Sequence, residues 1–216
     1  MTIQTMLILL GQGFLTTLSI FFLTLIGSLP LGLLVYFGKT SRIAPLRWVV
    51  NAYISIMRGT PLMLQLMVVY FGPNLLFGIT LPSNWRFIAV IIGFIINYAA
   101  YFAEIYRGGI ESIPVGQYEA AEVLGYSRFQ TFMRIILPQV IKRIMPSVTN
   151  EVVTLVKDTS LAFTVSYQEM FTIGKQIANS QTSFTPFVVA GVFYYVFNVI
   201  VDYVMGRIEK RLDYYR

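Results

Sequence analysis

The stretch FLTTLSIFFLTLIGSLPLGLLVYF occupies residues 14–37 and contains no charged side chain. An α-helix of about 20 apolar residues crosses the hydrocarbon core of a bilayer, because each residue adds about 1.5 Å of length. Charged residues make up only 12% of the whole chain, and hydrophobic residues make up 56%. Soluble domains carry about twice that share of charged residues. The sequence therefore predicts a membrane protein rather than a soluble one.

Four more apolar stretches follow along the chain. The five predicted spans are residues 14–37, 49–71, 87–106, 138–156 and 186–205. The second is interrupted by RGTP at residues 58–61, because proline removes a backbone donor and disfavours helical geometry at the residue before it. Residues 1–13 are expected to form an interfacial turn or to extend the first helix. Residues 72–84 are predicted as an uncharged loop, and residues 158–185 as a mixed loop with a short helix or re-entrant piece.

The distribution of basic residues predicts the orientation of these spans, because cytoplasmic loops carry an excess of Lys and Arg. If the loops after spans one and three and the C-terminal tail are cytoplasmic, that side carries twelve basic residues: Lys39, Arg42, Arg47, Arg107, Arg128, Arg134, Lys142, Arg143, Arg207, Lys210, Arg211 and Arg216. The other side carries only Arg86 and Lys175, while Arg58 and Lys157 lie within or at the edge of spans. We therefore expect an all-α membrane protein with five transmembrane helices, the N-terminus outside and the C-terminus inside.

The composition also excludes several classes of function. The chain has no cysteine and no histidine, which removes disulfides, thiolate metal sites and catalysis by either residue. The net charge of +6 is explained by membrane orientation rather than by nucleic-acid binding. No linker divides the 216 residues, so a single domain over residues 1–216 is expected. The first segment lacks a positive n-region and a small-residue cleavage site, so we expect it to be retained.

A polar segment of residues 107–135 connects the third and fourth predicted spans. Residues 115–124 favour a short helix, and Gly125 suits the position just past a helix end, where a left-handed conformation is needed. The small side chains of Ala120 and Ala121 would allow another protein to approach the helix backbone closely. This composition predicts a cytoplasmic helix that is held by a partner protein. The alternative is a plain surface helix with a glycine cap.

The same segment contains a spaced motif, with EAA at residues 119–121, Gly125 after three residues, and IILP at residues 135–138 after nine more. This pattern resembles the EAA motif of the permease subunits of bacterial ABC importers. Three further segments resemble the polar-amino-acid branch of these permeases: RGTPL at residues 58–62, YFAEIYRGGI at residues 101–110 and LVKDTSL at residues 155–161. The resemblance implies a multi-pass permease of the bacterial inner (cytoplasmic) membrane. Its implied ATPase-coupling residues, on a short cytoplasmic coupling helix, are Gln117, Glu119, Ala120, Ala121, Glu122, Leu124 and Gly125.

The resemblance also implies a set of partners. A second permease chain would complete the transporter, with an identical copy favoured over a different chain. Two cytoplasmic ABC ATPase subunits would hydrolyse ATP with Mg²⁺, and an extracytoplasmic solute-binding protein would deliver an amino acid. The chain itself is expected to be a transport subunit and not an enzyme, and to bind no cofactor, metal or nucleic acid.

Polar residues inside the predicted spans are the candidate substrate ligands, because placing such residues in lipid is costly. An amino-acid carboxylate needs a cation or hydrogen-bond donors, and its ammonium group needs acceptors. The predicted substrate-binding residues are Asn97, Glu151, Arg58, Thr60, Tyr101 and Gln65. Glu104 is expected instead to pair with Arg107 one turn on, and Lys157 to pair with Asp158 or a neighbour. Carboxylates in and near the spans slightly outnumber cations, an excess that suits a basic amino acid.

Two other classes of function remain as competitors. An ion-coupled secondary transporter or a channel subunit would be expected to show charge pairs deep in several spans, and usually more than five spans. An integral membrane enzyme would need a catalytic cluster, and the chain offers no His, no Cys and no group of carboxylates at one interface. The polar segment at residues 107–135, with its predicted coupling helix, argues against the first of these classes.

Overall fold

The computed structural model of the protein describes residues 2–212, and all regular secondary structure in this part of the chain is helical. Arg216, one of the predicted cytoplasmic charges, lies outside the described residues. The helices are α1 (Ile3–Lys39), α2 (Ala44–Gly59), α3 (Leu62–Phe77), α4 (Trp85–Glu111), α5 (Val115–Val123), α6 (Arg128–Thr131), α7 (Leu137–Asp158), α8 (Met170–Gln181) and α9 (Thr185–Leu212). A π-helical turn (Phe132–Ile136) joins α6 to α7, and a 3-10 helix (Thr159–Val165) follows α7.

Helix α1 begins at Ile3, so the residues before the first predicted span extend that helix. The Thr2 hydroxyl accepts a hydrogen bond of 3.2 Å from the Thr5 backbone N–H and caps the N-terminus. The helix has 37 residues and is therefore about 55 Å long, well over the roughly 30 Å of a hydrocarbon core. One of the two alternatives for residues 1–13, extension of the first helix, is confirmed.

The second predicted span is broken far more sharply than the sequence indicates. Helices α2 and α3 meet at an angle of 115° across Thr60 and Pro61, and Thr60 has extended backbone angles. The prediction of a loop from residue 72 is wrong, because α3 continues to Phe77 and ends at Gly78, whose φ of 63° is left-handed. A helix satisfies the hydrogen bonds of its own backbone groups. In an apolar segment it therefore continues until a residue with a left-handed conformation, here Gly78, ends it.

The fourth predicted span is part of a longer helical run that begins at Arg128. Ser127 and Gln130 form a capping box at its start. The N–H of Leu137 donates to the carbonyl of Phe132, five residues back, and Pro138, which has no N–H, follows immediately. The helical run therefore continues past this proline by way of the π-helical turn, instead of starting at the proline.

Length and apolar composition qualify α1, α4 and α9 as membrane spans, and the bent α2–α3 pair as a fourth. Helix α7 does not qualify on that basis, because Lys142, Arg143, Glu151 and two further charged residues lie on it. Three to four candidate spans are thus apparent among the described helices. Helix α4 lies at the centre and contacts four others, namely α1, α2, α3 and α7.

A buried carboxylate joins α8 to α9, and a neighbouring backbone N–H joins it to α1. Glu169 has no exposed surface, and its oxygens accept hydrogen bonds from the N–H groups of Phe171 (2.7 Å) and Thr172 (2.6 Å) and from the Tyr194 hydroxyl (3.0 Å). The N–H of Met170 donates to the Thr17 hydroxyl of α1 at 3.3 Å. These bonds fix the position of α8, which is the short helix that the sequence predicts between residues 158 and 185.

The contact of α1 with α4 depends on a missing side chain at Gly32. A Cβ atom there would lie 2.8 Å from the Phe102 Cβ and 3.1 Å from the Ala99 carbonyl oxygen. We expect Gly32→Ala to lower the stability of the folded protein by about 1–3 kcal/mol, the usual cost of overpacking. The measurement is the thermal unfolding midpoint in detergent.

Gly11→Ala is the matched control, because this glycine lies on the same helix with open space around it. Alanine is the better helix former by about 1 kcal/mol, so this variant should unfold at the same or a higher temperature. Equal midpoints for the two variants would contradict the packing argument.

Candidate functional site

A cavity of about 350 Å³ opens at the break between α2 and α3. Residues from the break, from α4 and from α7 enclose it. Four of the predicted substrate ligands line this cavity, together with one further carboxylate: Thr60, Asn97, Tyr101, Glu151 and Asp158. We call it the break cavity. Helices distant in sequence meet here because α4 passes directly beside the bend.

A second cavity, of about 530 Å³, shares Tyr101 and Glu151 with the break cavity. It lies toward the C-terminal end of α4, and we call it the arginine cavity because Arg58, Arg107 and Arg143 line it. The guanidinium of Arg58 stands over the Tyr101 ring, 5.5 Å from its centroid. The two cavities are thus adjacent, and the Tyr101 ring and the Glu151 carboxylate lie on the wall that they share.

The predicted ligands Gln65 and Asn97 hold the break in place. Pro61 has no N–H, so the carbonyl of Met57, four residues earlier, loses its helical partner. Asn97 Nδ2 and Gln65 Nε2 both donate to that carbonyl, at 3.1 and 3.0 Å. The same Asn97 nitrogen donates to Gln65 Oε1 at 2.8 Å, and Gln65 Nε2 reaches the Thr60 hydroxyl at 2.8 Å. Both amides are almost fully buried, so we call this group the amide clamp.

The two carboxylates of α7 lie one above the other on the wall of the break cavity. Asp158 accepts a hydrogen bond of 2.8 Å from the Tyr98 hydroxyl of α4. The predicted pairing of Lys157 with Asp158 is not formed, since no ion pair of either residue with an opposite charge occurs within the described chain. The side chains of adjacent helical residues point about 100° apart, so Lys157 and Asp158 face different directions. Asp158 is the one that points toward α4.

Glu104 is paired as expected and has further partners that the sequence did not indicate. Arg107 Nη2 lies 2.8 Å from Glu104 Oε2, which confirms the predicted pair. Lys39, at the end of α1, also donates to Glu104, and Arg58 Nη1 lies 3.6 Å from it. A short hydrogen-bonded pair joins Arg107 to Glu111 as well. Lys39 is 65 residues away in sequence, so no local pattern could have identified it.

Helix α5 contains the segment predicted to bind a partner. It ends at Val123, and Gly125 has a φ of 76°, the left-handed conformation expected of a glycine cap. The N–H of Tyr126 returns to the Ala121 carbonyl at 3.0 Å and closes the end. Six of the seven predicted coupling residues are exposed: Gln117, Glu119, Ala120, Glu122, Leu124 and Gly125.

Ala121 differs from these six, because it is only 1% exposed and lies against its own chain. Its small side chain therefore lets α5 sit close to the rest of this protein. Val123 and Leu124, exposed by 88% and 73%, form an apolar tip that the described chain leaves uncovered. The surface that α5 offers to another protein is thus Ala120 with this tip, and not the full alanine pair.

Residues 28–214 match the family described as binding-protein-dependent transport system inner membrane component. The chain belongs to this family. The chain is 34% identical over 202 residues to the arginine transport system permease protein ArtQ of Bacillus subtilis (strain 168), covering 93% of this chain and 91% of that relative. It is also 34% identical over 210 residues to the L-cystine transport system permease protein TcyB of the same organism, covering 96% of this chain and 88% of that one.

The fold agrees with the family assignment. The crystal structure of an amino acid ABC transporter with histidines matches with a TM-score of 0.85 at 31% identity, and the match covers 94% of each chain. This family member is thus the permease subunit of an ATP-binding-cassette importer and a multi-pass membrane protein. It is a transport component, with ATP hydrolysis carried out by a partner chain. An ion-coupled transporter or channel is the weaker reading.

The amide clamp generates a prediction about stability. Gln65→Leu in this permease removes one acceptor of the Asn97 amide and one of the two side-chain donors to the Met57 carbonyl. A buried polar group left unsatisfied costs about 1–3 kcal/mol. We expect a clearly lower thermal unfolding midpoint in detergent. The control is Gln12→Leu, a change of the same residue types at an exposed position of α1, which should leave the midpoint unchanged. A midpoint for Gln65→Leu equal to that of the control would show that the clamp is dispensable.

Proposed function

We propose that this permease carries a polar amino acid with a basic side chain through the break cavity and the arginine cavity. The observation that supports the basic cargo is the pair of carboxylates, Glu151 and Asp158, on one wall of the break cavity. Neither carboxylate has an ion-pair partner within 4.0 Å among the described residues. An unpaired negative charge in a partly buried site attracts a cation strongly, because the local dielectric is low.

A zwitterion with a cationic side chain fits the distribution of charge along this path. The α-carboxylate would bind Arg58 and the Thr60 hydroxyl, since a guanidinium is suited to carboxylates. The α-ammonium and the side chain would bind Glu151 and Asp158. Tyr101 would contribute its ring and hydroxyl at the boundary. The Asn97 side chain also lines the cavity, although its amide nitrogen is already engaged in the clamp.

The names of the relatives are divided on the class of cargo. One similar permease belongs to an arginine transport system, and the similar crystal structure is of an amino acid transporter with histidines. The L-cystine permease shows that an equally similar relative is named for a different amino acid. We therefore rest the choice of a basic cargo on the two carboxylates rather than on the names.

We further propose that α7 is the fifth span and that the chain is one transmembrane domain of residues 1–216. The charges of α7 support this, because Glu151 and Asp158 face a cavity instead of lipid. The proposed orientation places the N-terminus outside and the C-terminus inside. Lys39 and Arg107 meet at Glu104, and Arg143 binds the Ser112 carbonyl just before α5. This end of the molecule is thus rich in basic residues, as a cytoplasmic end in a bacterial inner membrane would be.

The proposed complex contains two permease chains, two ATPase subunits and an extracytoplasmic solute-binding protein, with a homodimer of the permease favoured over a heterodimer. Helix α5 would dock in a cleft of the ATPase through Ala120, Leu124 and their exposed neighbours. ATP and Mg²⁺ would bind only in the ATPase. ATP binding would draw the two α5 helices together and open the path outward, the binding protein would release its amino acid, and hydrolysis would reset the path inward.

The first test reconstitutes the permease with its ATPase and binding protein in proteoliposomes and measures uptake of radiolabelled amino acids. We expect uptake of arginine or another basic amino acid that requires ATP and both partners. Ala120→Arg should abolish ATPase binding and uptake, because a long side chain blocks close approach to α5. Ala120→Ser keeps the position small and should behave as the unmodified protein. Uptake driven by an ion gradient without ATPase would refute the proposal.

The second test addresses the acidic wall. Glu151→Gln removes one charge while keeping the shape, and the loss of a charge-assisted hydrogen bond is worth about 1.5–3 kcal/mol. We expect the KM for a basic amino acid to rise about tenfold or more, with a smaller change for a neutral one. The control is Asp202→Asn, which neutralises an exposed carboxylate on α9. Normal uptake with unchanged preference in Glu151→Gln would remove this residue from the site.

A further inference from the structure

Glu104 occupies a junction between three helices. It lies on α4, at the wall of the arginine cavity, with its side chain only 12% exposed. Three cations from three elements surround it: Lys39 at the end of α1, Arg58 near the end of α2, and Arg107 on α4 itself. One carboxylate therefore faces three positive charges, whereas a structural ion pair needs only one.

The three cations are held unequally. Lys39 makes a short hydrogen bond to one carboxylate oxygen, and Arg107 donates twice to the other, at 2.8 and 3.1 Å. Arg58 Nη1 is 3.6 Å from that second oxygen, beyond hydrogen-bond distance. The Arg58 side chain is also the most exposed of the three, at 45% against 22% for Lys39 and 33% for Arg107. Arg58 is thus the partner that can leave at least cost.

Arg58 lies beside Tyr101, where Glu104 and the carboxylate of the proposed cargo would compete for its guanidinium. Its guanidinium rests on the Tyr101 ring at the boundary of the two cavities. Glu104 lies on the arginine-cavity side of that ring, and the proposed position of the cargo lies on the other side. If Arg58 moves, Glu104 keeps two strong cationic partners and is not left as an uncompensated charge.

We propose that Glu104 is a positioning residue that holds Arg58 while the path is empty, and that Arg58 transfers from Glu104 to the carboxylate of the arriving amino acid. Glu104 then competes with the cargo for one guanidinium. The competition lowers the affinity for the cargo and speeds its release toward the cytoplasm. This inference rests on the proposed function, which gives Arg58 the cargo carboxylate.

The experiment uses the complete reconstituted transporter with L-arginine and L-argininamide, or the corresponding pair for whichever amino acid the uptake screen identifies. Glu104→Gln should lower the KM for the amino acid about two- to fivefold, the range for a partly exposed ion pair, and should lower kcat. The KM for the amide should stay unchanged, because the amide has no carboxylate for Arg58 to bind. If Glu104 had a purely structural role, its substitution would instead raise the KM for both ligands or impair assembly of the transporter.

Glu111→Gln is the matched control. It removes a carboxylate from the same helix that also pairs with Arg107 but does not touch Arg58, so both kinetic constants should be unchanged. If Glu104→Gln fails to assemble, Glu104→Asp takes its place. It is one methylene shorter, retains the charge for its tight partners and should lower KM in the same direction. An unchanged or raised KM for the amino acid in the assembled variant overturns the inference.

Arg58→Gln separates this inference from the function on which it rests. A raised KM in Arg58→Gln with an unchanged KM in Glu104→Gln overturns the role of Glu104 and leaves the carboxylate role of Arg58 intact. An unchanged KM in Arg58→Gln removes Arg58 from the cargo site and overturns both. A raised KM in Arg58→Gln with a lowered KM in Glu104→Gln supports the exchange.

Discussion

The Met57 carbonyl, left without a helical partner by Pro61, is the constraint on which the rest of the structure depends. A backbone group without a partner in the hydrocarbon region costs several kcal/mol, and lipid supplies no substitute. Two amide side chains supply the missing donors, one from four residues past the proline and one from α4. The break is therefore stable where α4 lies against it, and the bend of 115° lies beside that helix.

The bend also borders the break cavity, because Thr60 and Pro61 line it together with Asn97 of α4. Helix α7 lies on the opposite wall from α4, and the two carboxylates of α7 line the break cavity there. Glu151 and Asp158, two of the five charged residues that make α7 a poor span by composition, are thus accounted for, because they line this cavity.

Much of this arrangement follows from local sequence. Long apolar stretches, the break at RGTP, the glycine cap at Gly125 and the pairing of Glu104 with Arg107 are all short-range features, and each is found. Contacts between distant segments were not predictable in this way. The bond of Asn97 to Met57, the approach of Lys39 to Glu104 and the burial of Ala121 depend on how helices are placed in space. Periodicity within one helix carries no information about them.

The amide clamp and the ion pair of Glu104 with Arg58 differ in burial and in charge. Asn97 and Gln65 are uncharged and buried, and their hydrogen bonds to the Met57 carbonyl replace the helical bond that Pro61 cannot form. Loss of these bonds would leave that carbonyl without a partner. Glu104 and Arg58 are charged and border the arginine cavity, where a carboxylate on the proposed cargo would be an equivalent partner for the guanidinium. The amide clamp thus fixes the backbone around the break. The ion pair beside it supplies the charge that the proposed exchange requires.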